Sequence, residues 1–124
     1  MVNKQDFNNA IEQNIDMIRG DTLAFNFQLT GLREQSAYED LLITFAMAEH
    51  YDDAELIEIT NGNGISLEEY DAANDTATFS VSVSPSMTKT LDLSRYYYDL
   101  QIKDDTNVIT LMRGRLALKW DVAD

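Results

Sequence analysis

Apolar and polar residues alternate along most of this chain. In "TLAFNFQL", Leu23, Phe25, Phe27 and Leu29 fall on one side and Thr22, Ala24, Asn26 and Gln28 on the other. A period of two marks a strand with one buried face. "LLITFAMAE" repeats the pattern with Leu41, Ile43, Phe45 and Met47, and "TATFSVSVS" repeats it with Ala77, Phe79, Val81 and Val83. "SRYYYDLQIK" sends Tyr96, Tyr98, Leu100 and Ile102 inward and Tyr97, Asp99, Gln101 and Lys103 outward. In "NVITLMRGRLALKW" the alternation breaks near Arg113-Gly114, which predicts a bulge or kink at the glycine.

The connectors carry turn chemistry. Asn61-Gly62-Asn63-Gly64 lies between "ELIEIT" and "ISLEEY", and Asn-Gly readily takes the positive φ of a two-residue hairpin turn. Asp104-Asp105 predicts a hairpin between the last two long strands, and Pro85 stops a strand and opens a longer connection. About seven or eight strands at roughly ten-residue spacing predict an all-β fold, an antiparallel immunoglobulin-like β-sandwich. "IDMIRGDTLAFNF" contains Arg19-Gly20-Asp21, a tripeptide that adhesion receptors read when it is exposed in a loop. Its place between two apolar segments predicts instead a tight turn between a short first strand and a second one.

The beginning differs. "QDFNNAIEQNI" places Phe7, Ala10 and Ile11 at helical spacing, with Asp6 as N-cap. So short a helix is not stable alone. Residues 1–14 are read as an N-terminal arm or helix and 15–124 as a single sandwich domain. An arm that docks on a neighbouring subunit would use Phe7 and Ile11, and its deletion through Asn14 would impair assembly while leaving the fold intact.

Composition removes several functions. The chain has 124 residues, 22 acidic against 9 basic, and a net charge of −13. Such a field opposes nucleic acid and anionic membrane surfaces, both of which select Lys and Arg. No apolar run is long enough to span a bilayer, and "MVNKQDFNNA" has no signal-peptide core. The absence of cysteine removes disulfides, thiolate metal sites and thiol nucleophiles, and fits folding in a reducing cytoplasm.

Candidate chemistry is sparse. His50, the one histidine, stands at a strand end without a nucleophile motif. The acidic groups at Asp52-Asp53, Glu68-Glu69 with Asp71, and Asp104-Asp105 do not have calcium-loop spacing and read as solvated loop charge. There is no phosphate loop, and no catalytic residue, metal site or cofactor is expected. Tyr97, an outward aromatic beside Asp99, is a candidate partner-binding residue because tyrosine is enriched at interfaces.

Two stretches together carry a resemblance. "RGDTLAFNFQL" has Gly20-Asp21-Thr22 leading into an alternating strand. "SRYYYDLQIKDDTNVITLMRGRLALKWDV" has an aromatic run ending in Tyr98-Asp99-Leu100-Gln101, a hairpin, and a strand with Arg113-Gly114 that ends in Trp120-Asp121-Val122. These resemble the small β-sandwich domains at the N-terminus of phage and prophage baseplate upper proteins and related tail-fibre components. The resemblance implies a non-enzymatic virion structural protein, made in the host cytoplasm, which forms homo-oligomers and docks on other virion proteins. A head-decoration or head-fibre-anchoring role is the alternative within the particle. A carbohydrate-binding immunoglobulin-like module, with Tyr97 or Trp120 as its aromatic platform, is the alternative outside it.

Overall fold

The computed structural model describes residues 11–50, 54–92, 94–103 and 106–119. Among these it forms strands β1 (Ile11–Glu12), β2 (Ile15–Ile18), β3 (Leu23–Thr30), β4 (Leu42–Ala48), β5 (Ile57–Asn61), β6 (Gly64–Asp71), β7 (Thr76–Val83), β8 (Arg95–Lys103) and β9 (Val108–Lys119). Two short helices, α1 (Gln35–Glu39) and α2 (Pro85–Thr88), lie in the connections. Pro85 stops β7 and opens α2, at a position where its missing N–H costs no helical bond.

The alternation places the core. Leu41, Ile43, Phe45 and Met47 are buried, as are Ala77, Phe79, Val81 and Val83, and Tyr96, Tyr98, Leu100 and Ile102. Leu23, Phe25 and Phe27 of β3 are only half-buried, because β3 ends the strand path. Rings lock the interior: Phe25 meets Phe45 edge-on at 6.0 Å, and Phe45 stacks on Tyr98 at 5.6 Å. Each such pair adds about 1 kcal/mol beyond its buried area.

The strand path runs β1-β9-β8-β4-β5-β6-β7-β3, with β2 also on β9. The fold is all-β, but the expectation of wholly antiparallel pairing is corrected. β1 and β2 run parallel to β9, and β5 runs parallel to β6. The segment from Asn61 to Gly64 does form a tight turn, with Gly62 and Gly64 at φ 77° and 105°. The strands it joins share only the pairs Thr60–Gly64 and Asn61–Ile65, so it turns a corner rather than closing a long hairpin.

Arg19-Gly20-Asp21 forms the expected tight turn. Gly20 has φ 88°, and the Asp21 N–H donates to the Ile18 main-chain oxygen at 3.0 Å. The two strands it joins do not pair with each other: β2 lies on β9 and β3 on β7. The turn therefore links the two ends of the strand path and brings the sheet close to closure. Thr88, fully buried, accepts the Gly20 N–H, and the Arg19 guanidinium donates to the Leu91 main-chain oxygen.

Phe7 and Ala10 of the predicted arm lie outside the described residues. Ile11 begins a strand rather than ending a helix, and residues 11–14 belong to the sheet edge. The Gln13 N–H donates to the Arg113 oxygen at 3.0 Å, and the Arg115 N–H donates to Asn14 Oδ1 at 3.2 Å. The Tyr98 hydroxyl reaches the Gln13 main-chain oxygen at 2.5 Å. Gly114, opposite Tyr98 in the β8/β9 register, leaves room for this. A Cβ there would stand 2.1 Å from the Gln13 oxygen. The irregularity predicted at Gly114 is displaced: the register slips between Leu100 and Gln101, which leaves Leu111 as the extra residue of β9.

The ends of the molecule differ in content. One holds the 19–22 turn and the start of β8, where the Leu118 N–H donates to the Ser94 oxygen at 2.8 Å. The other holds residues 31–41 and the turn between β6 and β7. It is pinned by Asp75, itself at φ 49°, whose carboxylate accepts the Gly31 N–H at 2.9 Å, the Arg33 N–H at 2.8 Å, the Tyr38 hydroxyl at 2.9 Å and the Tyr70 hydroxyl at 3.2 Å.

Candidate docking face

The outward sides of β4, β8 and β9 form one continuous surface. In register they set Ala48 beside Tyr97 and Tyr97 beside Arg115, then Ala46 beside Asp99 and Asp99 beside Arg113. Small residues on β4 leave a shallow depression of about 300 Å³ whose lining includes Ala46, Ala48, Glu55, Glu58, Tyr97 and Asp99.

Tyr97 stands at the centre. The Arg115 guanidinium lies over its ring at 5.9 Å, and the His50 ring lies 6.4 Å away. This arrangement holds a half-buried ring by cation–π attraction, worth about 0.5–1 kcal/mol at an exposed site. Tyrosine so held gives a large contact area with little rotamer entropy left to lose on binding. His50, read from sequence as a strand-end residue, thus belongs to the same face.

Asp99 is the electrostatically perturbed group. Partial burial raises its carboxyl above the ordinary range; Arg113 opposes this, Glu55 adds to it, and the amide of Gln101, donating at 3.3 Å, opposes it. A carboxylate kept partly desolvated beside arginine is ready to exchange water for a partner's donor at reduced cost. At the far end of the face, Leu42 and Val108 flank Lys103 and are exposed to 47% and 60%. Charged and apolar groups thus alternate across one surface.

Of the three residues proposed from sequence as partner contacts, Tyr97 lies at the centre of this face. Ile11 lies in β1, paired beside Met112 on the β9 edge, and Phe7 lies outside the described residues. Trp120 also lies outside them. Arg113 and Arg115 flank Tyr97 and Asp99 through the β8/β9 register, and sequence reading did not select them as contacts. Counting outward positions on the last two strands would have found them, since the charge falls on alternate residues. Among the described residues no group of His, Asp and Glu is arranged to hold a metal ion, and no helix is long and apolar enough to cross a membrane. The acidic run at Glu68 and Asp71 is tied internally: Glu68 Oε1 accepts the Ser66 and Ser80 hydroxyls, and Asp71 accepts N–H groups of its own turn.

In comparisons with known proteins, no family model matches this chain and no curated protein is similar to it.

Proposed function

We propose that the chain is a non-enzymatic structural protein of a bacteriophage particle, a docking module of the baseplate or tail-fibre apparatus that works through the Tyr97 face. The observation that carries this reading is the face itself: an aromatic centre under Arg115, a partly desolvated carboxylate beside Arg113, and exposed Leu42 and Val108 at its margin. Aromatic and arginine residues dominate the energetics of protein interfaces, whereas a surface free to stay in water has no need to hold them in register. The likeness of "RGDTLAFNFQL" and "YYYDLQ" to baseplate and tail-fibre domains supplies the setting.

The finer fold belongs to the same reading: an immunoglobulin-like sandwich. Three features support it. One group of neighbours is β9-β8-β4-β5, the other is β6-β7-β3, and a short N-terminal strand lies parallel to the last strand. The Tyr96 hydroxyl, at the start of β8, donates to the Asp92 main-chain oxygen at 2.7 Å. That bond is like the one made by the tyrosine corner of such sandwiches, which ties the connection before the strand.

The test is peptide mass spectrometry of density-purified particles, with tails and heads separated. The chain should appear in the tail fraction at a fixed ratio to other structural proteins. Its presence in heads alone would favour the decoration role, and its absence from both would overturn the proposal.

A further inference from the structure

Ala117 of β9 lies in a cationic setting. Arg95 is its partner across β8, Arg115 and Lys119 are its same-face neighbours along β9, and Asp16 is its partner on β2. Lys119 and Asp16 form an ion pair at 3.2 Å. A depression of about 820 Å³ opens over the alanine, lined also by Asn14 and Ser94. No carboxylate among the described residues lies within ion-pair distance of Arg95. Among the described residues that line it, three cations and one anion therefore surround a small floor.

That is unusual in a chain carrying −13. Five of its nine basic residues, Arg95, Lys103, Arg113, Arg115 and Lys119, sit at outward positions of β8 and β9. The depression lies toward the end that holds the 19–22 turn. Among the described residues, the opposite end carries more anions than cations: Glu34, Glu39 and Asp40 are exposed around α1 against the single cation Arg33, and Asp71 is half-buried at the nearby end of β6.

We infer that the Ala117 depression receives carboxylates from the α1 end of a second copy, so that copies meet head to tail. The charge complementarity is internal to one chain, which favours a second copy over another acidic protein. Unlike surfaces meeting head to tail generate a ring or an open stack rather than a twofold dimer. This rests on the assembly reading above, and names a partner for it.

Sedimentation velocity of the full chain across a concentration series tests it. Self-association is expected at about 150 mM salt, where a screening length of about 8 Å damps the long-range repulsion between copies that each carry −13 while leaving contacts at ion-pair distance. Arg95→Glu should weaken it at least tenfold, and so should the double change Glu34→Lys with Glu39→Lys. Mixing the two variants should restore association, since each keeps one intact end. A wild-type chain that stays monomeric at millimolar concentration in about 150 mM salt would overturn the inference. So would association that Arg95→Glu leaves unchanged. A monomer that still enters particles would sink this contact alone; an associating chain absent from particles would sink the assembly role alone.

Discussion

Replacing Gly114 with alanine tests how the edge of the sheet is held. The new methyl carbon would lie 2.1 Å from the Gln13 oxygen and 2.8 Å from its carbonyl carbon. Ordinary contact requires more than 3 Å, so the link between β1 and β2 must move by about 1 Å or more. Three bonds depend on that link: Tyr98 hydroxyl to Gln13, Gln13 to Arg113, and Arg115 to Asn14. Tyr98 is 1% exposed, so its hydroxyl cannot turn to water. A stranded buried donor costs about 1–3 kcal/mol. Backbone displacement in a packed region adds about 1–3 kcal/mol. The expected loss for Gly114→Ala is about 2–6 kcal/mol, read from urea unfolding at constant slope. Tyr98→Phe removes only the hydroxyl and should cost about 1–2 kcal/mol. In the double variant the bond is already lost, so the two costs should fall short of additive by about 1–2 kcal/mol. A Gly114→Ala chain within 0.5 kcal/mol of the parent, or strict additivity with Tyr98→Phe, would refute this reasoning.

Three further outcomes follow from the same contacts. Deleting residues 1–14 should lower stability by removing the Gln13 acceptor of the Tyr98 hydroxyl, and Tyr98→Phe should then cost nothing or raise the midpoint of the truncated chain; an unchanged midpoint after deletion would count against the sheet role of residues 11–14. Burial pushes the Asp75 carboxyl up, but the hydroxyls of Tyr38 and Tyr70 and the N–H groups of Gly31 and Arg33 hold it below its ordinary range. Its contribution is therefore full above the unfolded value near pH 4 and is lost as pH falls through the lower folded value, so Asp75→Asn should flatten the acid limb of a pH–stability curve. Asp99 is shifted upward, chiefly by burial, so its charge opposes folding above that range; Asp99→Asn should raise the unfolding midpoint at pH 7 and make no difference at pH 3.

Side-chain alternation reports which face a residue takes, and it placed β3, β4, β7 and β8 and their buried residues without help. It carries no information on which strand lies alongside or in which direction. That is why "IDMI" and "TLAFNF" read as neighbours joined by a turn, although each pairs elsewhere. Ile11 shows the limit of short patterns: Phe7, Ala10 and Ile11 fit a helical spacing, yet the tertiary partner at Met112 makes Ile11 a strand residue. Tyr38 gave no local signal, because the group that satisfies its hydroxyl, Asp75, is 37 residues away. Gly114 was legible as an irregularity but not as a gap, since the backbone that fills the gap comes from Gln13. Tyr97 was legible as outward. The cations around it were spread over two strands and became one surface only through the β8/β9 register.

The most direct test of the docking claim is a competition for places in the particle. Wild-type and Tyr97→Ser chains, each isotopically distinct, would be supplied in equal amounts during phage assembly and counted by mass spectrometry in purified particles. The account predicts that wild type fills most places, because Tyr97→Ser removes the anchor of the face while leaving the core intact. Equal incorporation of the two chains, or incorporation of neither, would contradict it.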